Sequence, residues 1–324
     1  MSDLPNDAAH HPSSGSRDTS TSASPLQGVL LAISATCFWG MFPLIFKTVD
    51  HISPLEVLAH RSLRSVVFTA VLKVVMGRRE VVQRGFYAPR VLSVALASGV
   101  AVAVNWGVFI WAVANDQVLQ SSLGYYMNPL VSVLLGVVFL RERLSLRAWM
   151  AIGFAAAGVV LLVARFLAVP WVALALAFSW ALYGFVRKQA KVGSLPGLYL
   201  ETLMLSPLAL GFVLWLGNGP GLEMPTAFTA SLSDSLLLVG TGAVTAIPLL
   251  LFARAARILR LSTIGVLMYI VPTAQFLLAV FVFDEPFTQA HLWSFVLIWL
   301  GLAIYARDTY VQHRASRPVH IREN

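Results

Sequence analysis

Ten apolar runs of bilayer-spanning length dominate this chain, at roughly 26–46, 54–76, 91–114, 118–140, 145–165, 170–187, 197–217, 235–257, 261–283 and 289–306. About 20 apolar residues are needed to cross the hydrocarbon core as helix. Backbone in lipid must also satisfy its own hydrogen bonds, which a helix does within one segment. Runs of this length and number predict an all-α integral membrane protein with ten transmembrane helices. Composition agrees, with 58% of the 324 residues hydrophobic and 12% charged, where a soluble domain carries about 25% charged residues.

Residues 1–25 are rich in Ser, Asp, Pro, Thr and His and hold almost nothing to bury, so they read as a disordered tail. Residues 307–324 read as a second polar, basic tail. The single cysteine, Cys37, excludes an internal disulfide framework. Lying mid-run, it is expected to pack inside the bundle. No basic region immediately precedes its run, so neither a lipoprotein leader nor a cleaved signal peptide is expected.

The net charge of +8 raises nucleic acid as a partner. The distribution of the charge favours membrane orientation instead. With the N-terminus inside, eighteen lysines and arginines fall on the inner side and only Lys47 and Arg165 on the outer. Cytoplasmic loops of membrane proteins carry such an excess. Both termini are therefore expected in the cytoplasm, with an even number of spans and no nucleic-acid role.

The sequence also repeats itself. Trp39 and Lys47 recur as Trp180 and Lys188, 141 residues later. Gly99, Phe109, Tyr126, Pro129, Glu142 and Gly158 recur as Gly242, Phe252, Tyr269, Pro272, Glu285 and Gly301, each 143 later. The offset divides the chain into spans one to five (26–165) and six to ten (166–306). Five is odd, so the second set enters the membrane from the opposite side. That is an inverted-topology repeat, which in secondary transporters brackets a substrate site near the midplane.

Polar residues fall where hydrocarbon is deepest. SSLGYYMNPLVSVLLG places Tyr126, Asn128 and Pro129 near the centre of span four, and VLMYIVPTAQF places Tyr269, Pro272 and Gln275 at similar depth in span nine. A helix proline frees the carbonyl one turn earlier, here Tyr125 and Met268. Freed carbonyls demand protein or a polar cavity. The expectation is a symmetric pair of kinks around a cavity, with Asn105, Trp106, Thr241, Thr245 and Tyr183 as further lining. Polar side chains that glue helices together are the alternative for each residue.

Span two carries PLEVLAHRSLRS, in which Glu56, His60 and Arg64 share a helix face with Arg61 one position round. Ionisable groups within a span are functional candidates by default, against interfacial placement for Glu56 and outward snorkelling for Arg61. Span seven carries Glu201, the repeat counterpart of His60. Inversion places the two at opposite ends of one pathway, which argues against a salt bridge between them. No HExxH, GxSxG, phosphate-binding loop or metal-ligand spacing is present, so neither enzyme chemistry nor a metal or cofactor is expected.

The segments AHRSLRS (59–65), NWGVFIWAVAN (105–115), SSLGYYMNPL (121–130), YGFVRK (183–188), LET (200–202) and TAIPLLLF (245–252) resemble the RarD branch of the EamA family, in the drug/metabolite transporter superfamily. The resemblance runs from about Leu26 to Tyr305. It implies ten helices in two inverted five-helix repeats, no cofactor, and a permease of the bacterial cytoplasmic membrane. Members are labelled chloramphenicol-sensitive or chloramphenicol-resistance permeases, which fixes no physiological substrate. Positions matching the family's motifs include Arg61, Asn105, Trp106, Tyr126, Asn128, Pro129, Glu201, Thr245 and Pro248.

The resulting expectation is a permease moving a small metabolite or drug by alternating access, with a membrane-embedded sensor as the alternative. Asn105, Trp106, Tyr126, Asn128, Tyr183, Tyr269 and Gln275 would line the substrate path. His60, Arg61, Arg64 and Glu201 would act as charged gates or anchors, and Pro129, Pro248 and Pro272 as kinks. A homodimer is left open.

Overall fold

The computed structural model describes residues 24–75, 89–141, 144–189, 194–218, 231–259 and 261–315. Helix is the only regular structure among them. In chain order the helices are α1 (Pro25–Gly40), α2 (Phe42–Lys47), α3 (Pro54–Val75), α4 (Pro89–Ala114), α5 (Val118–Leu140) and α6 (Leu146–Phe166). They continue as α7 (Trp171–Gln189), α8 (Ser194–Asn218), α9 (Leu232–Ile258), α10 (Leu261–Leu267), α11 (Ile270–Phe281) and α12 (Gln289–Ala315). The last helix runs on through part of the expected tail. The loops with Arg78, Arg79 and Arg84, Glu142, and most of the N-terminal tail lie outside the described residues.

Among the described residues, seven stretches are long and apolar enough to cross a membrane: Pro25–Lys47, Pro89–Ala114, Val118–Phe139, Leu146–Phe166, Pro196–Gly217, Thr263–Phe281 and Gln289–Asp308. The other three expected runs are helical too, but less apolar. Helix α3 carries Glu56, Arg61, Arg64 and Lys73, and α7 ends in Arg187 and Lys188. In α9 only the shorter stretches Leu232–Thr241 and Ile247–Ala256 are strongly apolar.

Local chemistry sets several helix ends. Ser24 Oγ accepts the Gln27 N–H ahead of α1, and Ser145 Oγ accepts the Ala148 N–H ahead of α6. Each satisfies a donor that the first turn leaves orphaned. Left-handed residues stop α5 at Arg141 (φ 53°) and α6 at Leu167 (φ 51°).

The prolines of the two repeats sit differently in their helices. Pro129 lies inside the continuous α5, as Pro248 does inside α9. Pro272 instead follows a break at Met268–Tyr269 and sits in the first turn of α11, where its missing N–H sacrifices no bond. The Met268 carbonyl is not left free, since Val271 N–H donates to it at 3.2 Å. A second break, at Met41, puts Pro43 in the first turn of α2.

Helix packing follows a regular scheme. The most extensive pairings are α6 with α12, α5 with α7, α3 with α8, α4 with α7, and α1 with α9. Next come α5 with α11, α3 with α9, α4 with α8, and α1 with α11. Where α6 crosses α12, a Cβ added to Gly158 would lie 3.0 Å from the Ser294 carbonyl oxygen. One added to Gly301 would lie 2.6 Å from that of Ala151. Glycine lets the backbones meet there, which matters because lipid supplies no hydrophobic force between helices.

Leu26, Val67, Phe139, Leu208, Trp215 and Trp293 face outward, as suits contact with lipid tails. Cys37 is exposed as well, correcting the expectation that it packs inside.

Candidate functional site

Arg61 and Glu201 are both buried in the bundle, and they are housed differently. Arg61, on α3, is 3% exposed. Its guanidinium carbon lies 4.1 Å from the centre of the Trp106 ring, 5.3 Å from that of Phe46 and 5.7 Å from that of Phe42. Helices α2 and α4 supply these rings. Among the described residues, Nε and Nη1 of Arg61 are buried without a hydrogen-bond partner. Burying an ion costs on the order of several kcal/mol. Cation–π contacts return about 0.5–2 kcal/mol each. The guanidinium is thus sheltered by the rings but keeps hydrogen-bonding capacity to spare.

Around it on α3, Glu56 and His60 are both buried, with His60 Nε2 3.9 Å from Glu56 Oε1, while Arg64 is half-buried. Arg61 does not snorkel outward, since its guanidinium lies against rings inside the bundle.

Glu201, on α8, is fully buried. Ser98 Oγ of α4 donates to Oε1 at 2.7 Å, and the Tyr183 hydroxyl of α7 donates to Oε2 at 3.4 Å. Arg187 Nη1 of α7 stands 3.4 Å from Oε1. The guanidinium reaches the carboxylate by lying directly against Gly197, where an added Cβ would fall 1.7 Å from Nη1. Any other residue there would displace the arginine. His60 takes no part in this cluster.

The remaining sequence-derived candidates divide in two. Asn105 is spent on protein: its amide nitrogen donates to Leu176 O and Ser179 Oγ, and its oxygen accepts from the Tyr125 hydroxyl. Tyr126 bonds Thr273 Oγ1 at 2.6 Å and stacks on Tyr269 with ring centres 6.2 Å apart. Phe295 and Trp299 meet the Tyr126 ring edge-on. Asn128 Oδ1 on α5 and Gln275 Oε1 on α11, by contrast, are buried and have no hydrogen-bond partner among the described residues.

Sequence reasoning gave no role to Glu285. Its carboxylate accepts the Val118 N–H at 2.6 Å and the Leu119 N–H at 2.8 Å, capping α5 from the loop between α11 and α12. Gln117, the residue at the cap position, makes no side-chain cap bond of its own. Burial is the largest influence on the Glu285 carboxyl and raises it above the usual carboxylate range, although the two N–H bonds oppose this. Its recurrence from Glu142 was the available signal. Other contacts at the helix ends are Lys47–Asp116 at 2.7 Å, His51–Asp234 at 3.2 Å, and Asp308 with Ser145 and Arg147.

A cavity of about 220 Å³ lies among Leu119, Leu123, Leu162, Phe166, Pro170 and His291, and none of the expected path residues lines it. No group of three or more His, Cys, Asp or Glu side chains among the described residues is arranged to hold a metal ion.

Described residues whose regular structure is all helix, with seven membrane-length apolar stretches among them, belong to a multi-pass membrane protein. Residues 26–164 match the EamA-like transporter family. An uncharacterized transporter of Vibrio cholerae is 43% identical over 292 residues, covering 90% of this chain and 95% of the relative. Protein RarD of Salmonella typhimurium is 41% identical over 288 residues, covering 89% and 97%. A solved crystal structure superposes with a TM-score of 0.55 over 87% of this chain and 97% of its own, at 21% identity, a likeness of fold alone. The chain belongs to the RarD branch of the EamA family, a family of bacterial membrane transporters in the drug/metabolite transporter superfamily.

Proposed function

We propose that this protein is a secondary transporter that moves a small metabolite or drug across the bacterial cytoplasmic membrane by alternating access. Its ten spans form two inverted repeats, 26–165 and 166–306, with both termini cytoplasmic. The glycine crossing carries the repeat reading: Gly158 against Ser294 and Gly301 against Ala151 are one contact made twice at the 143-residue offset. The helix pairings support it, because α4 with α7 mirrors α1 with α9, and α4 with α8 mirrors α3 with α9.

Alternating access needs contacts between the repeats that can open at either end. At one end, Glu285 with the α5 N-terminus and His51 with Asp234 join the two repeats. At the other, Glu201 with Ser98 and Asp308 with Ser145 do so. Between them, the unpaired oxygens of Asn128 and Gln275 are acceptors available to substrate. Hydrolytic or redox motifs are absent from the sequence, and the relatives carry transporter names.

The test begins with a thermal-shift screen on purified protein, because a ligand that binds only the folded state raises its melting temperature. Hits are then followed by counterflow into proteoliposomes. Binding with no counterflow for any hit would sink the transport reading and leave a membrane-embedded binding or sensing protein. In a Cys37→Ala background, Cys at 128 and 275 should react with a small polar thiol reagent, and substrate should slow the reaction. Inertness at both positions in folded protein would favour mere packing. A periplasm-active reporter should be silent after Asn324 and active in the 217–234 loop. The reverse pattern would overturn the orientation.

A further inference from the structure

We infer that Arg61 is the docking point for a carboxylate of the transported molecule, which makes the substrate a small organic monocarboxylate. The inference rests on the transport reading for the word substrate, but on its own geometry for the carboxylate. An arginine 3% exposed and set against Phe42, Phe46 and Trp106 has lost the water that would bond its N–H groups. The rings answer its charge and not its donors, since they attract a cation through their faces and accept no conventional hydrogen bond. Among the described residues Nε and Nη1 stay unpartnered, and no carboxylate stands within ion-pair distance.

Glu201 excludes the explanation that this bundle simply tolerates bare buried charge. There, Ser98, Tyr183 and Arg187 answer the carboxylate. Donors kept in reserve on a guanidinium match a planar oxyanion, which arginine binds through two parallel bonds.

One cation against apolar walls balances one negative charge. A carboxylate carries one, whereas a phosphomonoester carries about −1.5 to −2 at neutral pH and would leave the surplus buried. Depth agrees as well. Phe46, against which Arg61 lies, packs on Phe109, whose ring centre is 6.1 Å from that of Tyr125 of α5, and Asn128 follows three residues on, on the same helix face. A molecule with its carboxylate on Arg61 would therefore extend towards the unpaired Asn128 oxygen, which takes a donor.

The experiment uses the purified full-length protein and four probes of one shape: benzoate, benzamide, benzylamine and phenyl phosphate. Thermal stability is measured against the concentration of each. Benzoate should raise the melting temperature in a saturable way, while benzamide and benzylamine should not. Arg61→Gln should abolish the benzoate shift, and Arg61→Lys, which keeps charge but loses the planar fork, should weaken it at least tenfold in concentration.

Equal shifts for benzoate and benzamide, or no shift with benzoate, would overturn the carboxylate assignment. So would a larger shift with phenyl phosphate, or a benzoate shift that survives Arg61→Gln. If Arg61→Gln does not fold, Arg61→Met takes its place, and the contrast among probes on the wild type decides alone. A benzoate shift without counterflow of any carboxylate would keep the anchor and sink the transport reading. Counterflow of a neutral or cationic compound with no benzoate shift would do the reverse.

Discussion

Arg61 and Glu201 are buried to nearly the same degree, at 3% and 0% exposure, yet one sits among rings and the other among hydrogen-bond partners. The carboxylate on α8 draws on two further helices, through Ser98 of α4 and Tyr183 and Arg187 of α7. The guanidinium has cation–π neighbours and unanswered donors. The difference separates two uses of buried charge. A charge whose partners come from the protein is a fastening, and removing a partner breaks it. A charge whose donors are left unanswered does not fasten the fold, because its burial is not repaid by hydrogen bonds. Glu201 is thereby moved from substrate anchor towards a latch joining α4, α7 and α8.

The largest expected effect is on the fastening. Arg187→Met leaves a fully buried carboxylate without its cation, a change that costs about 3–5 kcal/mol for a buried pair. Because Arg187 retains 17% exposure, solvent screening reduces the expected loss to roughly 2–3 kcal/mol. Reversible denaturation in mixed micelles measures it. Adding Glu201→Gln to Arg187→Met should restore part of the loss. Strictly additive losses would mean that the two groups are not coupled.

Glu285 sharpens the comparison, since its partners are backbone N–H groups instead of a cation. Glu285→Ala orphans two donors and should cost about 2 kcal/mol. Its raised carboxyl also fixes the sign of a pH effect. The folded protein binds the proton more tightly than the unfolded chain, so this group's contribution to stability is greatest at low pH. It declines as pH climbs from the unfolded value towards the raised one. The stability of wild type relative to Glu285→Gln should therefore fall as pH rises through that window. A difference that grows with pH would mean that the two N–H bonds, and not burial, dominate.

Glu201→Gln alone is expected to cost about 1–2 kcal/mol, because glutamine keeps an acceptor for Ser98 while removing the charge that faces Arg187. Expression and folding should survive, whereas net transport should be lost. If counterflow exchange continues but no longer responds to pH, Glu201 carries a proton. Wild-type flux with an unchanged pH profile would make it purely structural.

The smallest effect is the sharpest. Arg61→Met replaces an ion without hydrogen-bond partners by an apolar chain of similar length, and such exchanges are often neutral or stabilising. Stability should hold or rise while transport is lost. A loss as large as that of Arg187→Met would break the comparison, because Arg61 would then be held by partners of its own.

Much of the arrangement was legible in the sequence. Hydrophobic run length located most of the helical segments within a few residues, because apolar stretch and helix end are both local properties, whereas α12 runs on into the expected tail. The 143-residue offset anticipated that Gly158 and Gly301 occupy equivalent positions. Partnership was not legible. Ser98 meets Glu201 across 103 residues, Asn105 meets Ser179 across 74, and Glu285 meets Val118 across 167. Whether a polar side chain ends as glue, like Asn105, or with a bond to spare, like Asn128, depends on which helix crosses at its height. Proline carried the same ambiguity: Pro129 sits in a continuous helix and Pro272 behind a break, although their sequence neighbourhoods are alike. Helical period and hydropathy act within one segment, and so the sequence by itself determined where each group lies along its own helix. Crossing geometry is set by close approach at positions such as Gly158 and Gly301, and it was left to the tertiary structure to decide which charges are answered.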